Sequence, residues 1–215
     1  MHNKQSIKRP LSWEIGRLIK VFFKKMNLTK THKQRIDILR KKGLKLGKNV
    51  MIHPEAWIDS HYCYLISIGD NSILCIGSKL LAHDGTLFPF TDGHARLGKI
   101  DIKENCVIGT NAVILPGVTI GPNVLVAPGS VVNKDIPPNS CVAGVPARYY
   151  SSFDDYINKH RETIKNSYIV DGRKVLLNKN GIDEELKNKI IEESEKGPVH
   201  IDHCKEIAKI REDFV

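Results

Sequence analysis

The chain has 215 residues, 41% of them hydrophobic and 27% charged, with 16 Gly and 10 Pro; this is the composition of a folded globular protein and excludes disorder and collagen-like architecture. No apolar run approaches the roughly 20 residues of a membrane-spanning helix. Five cysteines without a C-x-x-C pair argue against a disulfide framework and a structural zinc site. Residues 1–50 carry 15 basic and 2 acidic side chains, whereas 51–150 and 151–215 are each slightly acidic, so the net charge of +9 comes from the first 50 residues. That asymmetry points to a local anionic partner.

In chain order, Leu11, Ile15, Leu18, Phe22 and Met26, with Ile19 and Phe23, form an amphipathic helical stripe, and Arg17, Lys20, Lys24 and Lys25 lie off it. Lys and Arg interrupt every apolar stretch here and no small-residue cleavage site follows, so no secretory leader is expected. A second helix is expected over Thr31–Lys42, carrying Ile36 and Leu39. Two readings of the N-terminal segment stand side by side: a basic helix on an anionic membrane or acidic glycan, and a helix that closes the open end of the domain that follows.

From Ile102 the aliphatic residues recur every six positions: Ile102, Ile108, Ile114, Ile120, Val126 and Val132. Four residues after each comes Cys106, Ala112, Val118, Val124, Ser130 or Ile136. A period of six fits neither an α-helix nor a heptad. It fits a parallel β-helix whose hexapeptides each form one face, three faces per turn, so that Ile102 lies under Ile120, Ile108 under Val126 and Ile114 under Val132. Earlier turns run through Leu46, Ile52 and Ile58, with Val50, Ala56 and Tyr62 in the second slot, and through Ile68, Leu74 and Leu80, with Ser72 and Ser78. Four residues are inserted between Ile58 and Ile68, and the repeat breaks between about Ala82 and Asp101. An irregular loop in a regular coil is where function usually sits. Pro137-Pro138 are expected to end the coil, because proline cannot donate to a further ladder. Cys63, Cys75, Cys106 and Cys141 read as small apolar residues.

The run from Ile108 to Ile136, IGTNAVILPGVTIGPNVLVAPGSVVNKDI, followed by PPNSCVAGVPARYY, resembles the hexapeptide-repeat acyltransferases with a left-handed β-helix. Upstream, ISIGDNSILCIGSKLLAHDGT (Ile66 to Thr86) resembles the coil leading to the catalytic histidine of galactoside, maltose and surface-polysaccharide O-acetyltransferases. The likeness covers residues 44–150. It implies a mainly β protein with a left-handed parallel β-helix at 44–150 and an inserted loop at 84–99, flanked by a basic helical segment at 1–43 and a mainly helical appendage at 151–215 that are read from their own residues. It also implies acetyl-CoA as co-substrate, a homotrimer, a sugar, sugar-nucleotide or glycan acceptor, and no nucleic acid. The coil-type carbonic anhydrase is a rival, but it needs three zinc-binding histidines, and His83 and His94 stand alone between His61 and His160; no metal is expected.

His83 opens the loop, three positions after Leu80. O-acetylation needs a base that takes the proton of a sugar hydroxyl as it attacks a thioester, and an imidazole suits that task; the alternative is an exposed loop histidine without a role. Asp84 either orients the imidazole, binds acceptor, or caps the following Asp-Gly turn. Thr86, Asp92 and His94 lie in the loop that shapes the acceptor pocket in the resembling enzymes, although His94 has Asp92 as another partner. Resemblance places Thr110, Ala127 and Ser130 along the acetyl-CoA groove, and Lys134 and Arg148 near its phosphates, where cations are suited to bind. Many of these enzymes have Trp two residues before the position of Gly109; this chain has Val107.

In the tail, Asp154–Lys165 and Asp183–Glu195 read as helices, Tyr168–Val175 as a small hairpin, and His203–Asp213 as a last helix. The combined expectation is a cytoplasmic O-acetyltransferase of surface-polysaccharide synthesis, either free or peripheral at the inner membrane face. The rivals are N-acetylation of an amino-sugar nucleotide, acetylation of an antibiotic, and a non-catalytic coil that holds a polyanion.

Overall fold

The hexapeptide aliphatics lie on short strands that pair in parallel, each stacked on the equivalent position of the neighbouring round. This is seen in a computed structural model that describes residues 31–176 and 181–202. The strands are β1 (Lys45–Leu46), β2 (Met51–Ile52), β3 (Trp57–Ile58), β4 (Ile66–Ile68), β5 (Ile73–Leu74), β6 (Lys79–Leu80), β7 (His83–Asp84), β8 (Arg96–Leu97), β9 (Ile100–Ile102), β10 (Val107–Ile108), β11 (Val113–Ile114), β12 (Thr119–Ile120), β13 (Val124–Val126), β14 (Val131–Val132), β15 (Ser140–Ala143) and β16 (Arg148–Ser152). Apart from the β7–β8 pair, they visit three sheets in rotation: β1-β4-β9-β12, β2-β5-β10-β13-β15-β16 and β3-β6-β11-β14. The first, second and third of these are called faces A, B and C.

The register matches the stacking expected from the period. Ile102 pairs with Ile120, Ile108 with Val126 and Ile114 with Val132. Leu46, Ile68 and Ile102 form one column, Ile52, Leu74 and Ile108 a second, and Ile58, Leu80 and Ile114 a third. Apart from Leu46, which is partly buried, these side chains and the smaller ones in the second slot fill one continuous core. Burial of each aliphatic side chain contributes roughly 1.5–3 kcal/mol, and this is what holds two-residue strands in place.

The corner between faces A and B is turned by asparagine. Asn49, Asn71, Asn105, Asn123 and Asn139 all have φ near 55°, a left-handed conformation that asparagine tolerates better than other side chains. Their amides form a ladder, Asn49 donating to Asn71 at 3.1 Å, Asn71 to Asn105 at 3.2 Å and Asn105 to Asn123 at 3.0 Å. Each stands immediately before a buried second-slot residue.

Helix α1 (His32–Lys41) covers the first round, capped by Thr31 and Gln34 in a reciprocal capping box. Ile36 and Leu39 join the core, and Arg35 donates to the Ala56 carbonyl at 2.9 Å. The other helical stripe, over residues 11–26, lies outside the described residues, as does the helix expected at His203–Asp213.

Two expectations fail. Pro137-Pro138 do not end the stack: they occupy a corner rather than a ladder position, Ile136 bridges to Ile120, and β15 continues face B against β13. The final edge is closed by β16, which runs antiparallel to β15. The hairpin over 168–175 is absent. Strand β17 (Tyr168–Asp171) passes into α3 (Gly172–Leu176), and its partner is β18 (Val199–Asp202), in parallel. Asp171 accepts from the Arg173 N–H at 2.9 Å, which starts a helix instead of a turn. A side chain at Gly172 would come within 2.2 Å of the Asp202 carbonyl oxygen, so the two strands meet only over glycine. The two expected tail helices are α2 (Phe153–Lys165) and α4 (Glu184–Lys196), capped by Ser152 and Asp183. Among the described residues no helix is long and apolar enough to cross a membrane.

Candidate active site

Chemistry gathers at the corner between faces C and A, where successive rounds differ. Above, Leu115-Pro116-Gly117 turn it directly. In the round below, 15 residues separate β6 from β9 apart from β7 and β8, and in the lowest round residues 59–65 join β3 to β4 with four residues more than the repeat needs. The two insertions therefore lie one over the other.

His83 begins β7, paired with Leu97 of β8. Its Nδ1 meets a carboxyl oxygen of Asp59, at the start of the lower insertion. Asp59 is 1% exposed, while the His83 side chain is 38% exposed. The other Asp59 oxygen accepts from the backbone N–H groups of His61 (3.2 Å) and Tyr62 (3.3 Å). The turn thus fixes the carboxyl and the carboxyl fixes the ring. A hydrogen bond from Nδ1–H leaves Nε2 with its lone pair as the proton acceptor. The Tyr62 ring lies beside the imidazole, 4.9 Å between centroids.

Asp59 was not singled out in the sequence. The signal was the break in period between Ile58 and Ile68, which places a polar residue directly after a core aliphatic. Asp84, by contrast, is turned away: its Oδ1 accepts from the Thr86 backbone N–H (2.8 Å) and hydroxyl (2.5 Å). These two bonds hold the Asp84 carboxyl below the usual carboxylate range. The carboxyl that touches His83 is Asp59, not Asp84.

Thr86, Asp92 and His94 are in the loop, Thr86 tied to Asp84. Asp92 turns the chain with φ 49°. His94 Nδ1 lies 2.5 Å from the Thr91 carbonyl oxygen, so the ring leans on Thr91 rather than on Asp92. Asp84, Leu87, Thr91, His94, Ala95 and Arg96 line one concavity within the loop. The Arg96 guanidinium donates to the Pro116 carbonyl at 3.2 Å, which ties the loop to the round above.

The residues expected along the cofactor groove divide between two corners and strand β16. Thr110, Ala127 and Ser130 stand between faces B and C, with Thr110 accepting from the Gly129 N–H and Ala127 from the Ser130 N–H. Lys134 is exposed at the His83 corner, two residues after β14. Arg148, exposed on β16, donates to the Ala147 carbonyl at 3.0 Å. Ser130 is wholly buried, and its hydroxyl accepts from the Gly144 N–H at 3.1 Å, within the corner. Val107, at the expected Trp position, is half-buried on the outside of face B. Among the described residues no group of three His, Cys, Asp or Glu side chains is placed to hold a metal ion. Cys63, Cys106 and Cys141 are buried and Cys75 half-buried; burial pushes the Cys106 thiol up to about 11.

The family model for the bacterial transferase hexapeptide (six repeats) matches residues 99–134. Protein CapG of Staphylococcus aureus is 36% identical over 127 residues, covering 57% of this chain and 74% of CapG. YvoF of Bacillus subtilis is 34% identical over 105 residues, 49% of this chain and 58% of that protein. The galactoside O-acetyltransferase of Escherichia coli is 37% identical over 102 residues, 43% of this chain and 46% of that protein. The chain therefore spans about half of the length of the last two.

Proposed function

The chain belongs to the bacterial hexapeptide transferase family, and from that premise we propose that it is an acetyl-CoA-dependent O-acetyltransferase that acts on a sugar hydroxyl in surface-polysaccharide synthesis. The observation that carries this reading is the His83–Asp59 pair: an imidazole held through Nδ1 by a buried carboxyl, with its outer edge open, at the corner where the repeat is interrupted. Similarity to a galactoside O-acetyltransferase supports the reaction class. Three rotating parallel sheets support a closed left-handed β-helix, and a homotrimer in the cytoplasm completes the proposal.

Acetyl-CoA supplies an activated thioester, so no covalent enzyme intermediate is needed. His83 Nε2 takes the acceptor hydroxyl proton as the oxygen bonds to the thioester carbon, and returns it to the departing sulfur. Asp59 keeps Nε2 outward and faces the imidazolium while it carries that proton. Thr110 and Ala127 offer half-exposed backbone and small side chains, and Lys134 and Arg148 offer exposed cations suited to phosphate. Holding acceptor and thioester together removes several kcal/mol of the barrier.

The test is release of CoA thiol from acetyl-CoA over a panel of monosaccharides, sugar nucleotides and acidic polysaccharides, with wild type and His83→Ala in parallel. The expected result is turnover on a hydroxyl acceptor that falls about 100- to 10,000-fold in the variant. Turnover that survives the substitution refutes the role of His83 and points to an amine acceptor. Absence of acetyl-CoA protection against heat refutes the enzyme reading and favours a scaffold.

A further inference from the structure

We propose that Tyr62 and Tyr64 form a stacking platform for a glycan, so that the acceptor is an oligosaccharide or polymer rather than a free monosaccharide; this rests on the reading of His83 as catalytic base. Beyond Asp59, residues 59–65 carry two aromatic rings, of which Tyr62 neighbours both the imidazole and Tyr64. The Tyr62 ring is 4.9 Å from the His83 ring, and the Tyr64 ring is 6.3 Å from that of Tyr62. Each step is comparable to the advance of one sugar residue along a glycan.

The two tyrosines are held differently. Tyr62 packs against the core and its N–H donates to Asp59. Tyr64 is 52% exposed, yet its backbone is anchored. It sits in the 3₁₀ turn Cys63–Leu65, and its Cβ closes on Gly43, where any side chain would come within 2.7 Å. Gly43 has φ 106°, which independently favours glycine. Lys42 Nζ donates to the Ser60 carbonyl at 3.3 Å, tying the same turn to the end of α1.

A ring presented to solvent on a fixed backbone binds at small cost in conformational entropy. A pyranose has an apolar face of C–H groups whose positive hydrogens suit the negative face of an aromatic ring. Its hydroxyl edge suits a phenol O–H that both donates and accepts. With the reacting sugar at His83, the residues that follow it along the glycan meet Tyr62 and then Tyr64. A monosaccharide at His83 leaves Tyr64 untouched.

The experiment uses the full chain with acetyl-CoA and two probe series: D-galactose, β-1,4-galactobiose and β-1,4-galactotetraose, and glucose, maltose and maltotetraose. Acetyl transfer and saturation-transfer NMR binding are read together. In at least one series, kcat/KM and binding should rise with length. Tyr64→Ala should raise the tetrasaccharide KM about tenfold, the equivalent of one good aromatic contact, with kcat and the monosaccharide KM unchanged. Tyr64→Phe should keep most of the gain. Equal losses on short and long probes, or binding of neither tetrasaccharide, would overturn the platform. So would a change in sedimentation of Tyr64→Ala, since the ring would then belong to a contact between copies. Length-dependent binding that needs Tyr64, together with transfer that survives His83→Ala, would refute the base and leave the platform standing.

Discussion

The upper rounds of the stack, from β9 to β15, run without insertion at the corner that carries His83 lower down, whereas the two rounds beneath are each opened at that corner. The inward column of the upper rounds is aliphatic: Ile108, Ile114, Ile120, Val126 and Val132 are all 0% exposed. The opened rounds hold Asp59, Tyr62, His83 and Arg96, polar or aromatic groups that a six-residue repeat has no room for. The comparison separates two tasks. Uninterrupted rounds supply stability through identical stacked contacts, and interrupted rounds spend the resulting rigidity on positioning unlike side chains.

Substitutions sort by which side of this division they strike. The largest effect is expected from His83→Ala, about a hundredfold or greater loss of transfer, with little change in the urea midpoint because the side chain is partly exposed. If instead the midpoint collapses, the opened round carries stability and the division fails. Ile114→Ala should do the reverse. It should cost about 2–5 kcal/mol by urea unfolding through the cavity it leaves, while folded protein keeps its KM for acetyl-CoA.

Asp59→Asn tests whether one residue serves both tasks. An amide in its place can still accept from His61 and Tyr62, so unfolding should shift by only about 1–2 kcal/mol. Transfer should fall at least about tenfold, because the imidazole loses its fixed orientation. A loss of stability without loss of kcat would make Asp59 structural. Asn105→Ala, in the ladder, should cost about 1–2 kcal/mol for a left-handed alanine, and Asn105→Gly distinctly less. Differential scanning calorimetry of the pair separates backbone strain from the lost amide bonds.

The smallest effect concerns acid. Asp101 accepts from Ser67 at 2.7 Å and pairs with Lys99 and Lys103, and despite the opposing effect of burial these partners lower its pKa to about 2. A depressed carboxyl contributes stability above the ordinary range near pH 4 and loses it as pH falls toward about 2. In Asp101→Asn, stability measured between pH 5 and pH 2 should fall less steeply than in wild type.

The stack was legible because its information is periodic: Ile102 over Ile120 follows from counting, and every strand pair repeats the same count. His83 was legible as the residue at the break. Asp59 was not, since its partner lies 24 residues away across an interruption and no local pattern links them. The division of Thr110 and Lys134 between two corners needed the rotation of the sheets, and the burial of Ser130 followed from its second-slot position, where the same counting already placed a small inward side chain. The Asn ladder was visible as an asparagine before Val50, Ser72, Cys106 and Val124, one second-slot residue in each round, although only dihedral angles give it meaning. The hairpin over 168–175 was misread because the Asp-Gly pair is a local turn cue, while the true partner of β17 is a distant parallel strand.

The corner between faces C and A also acts as an insertion port. Chain can be spliced in there without shifting any ladder, because the strands on either side keep their register, as Ile58 to Ile66 and Leu80 to Ile100 both do. Closing a longer loop costs only about 0.6 kcal/mol per doubling of its length. New loops at Pro116-Gly117 would emerge at the same corner as His83, so this edge can be elaborated by grafting while the core ladders keep their register.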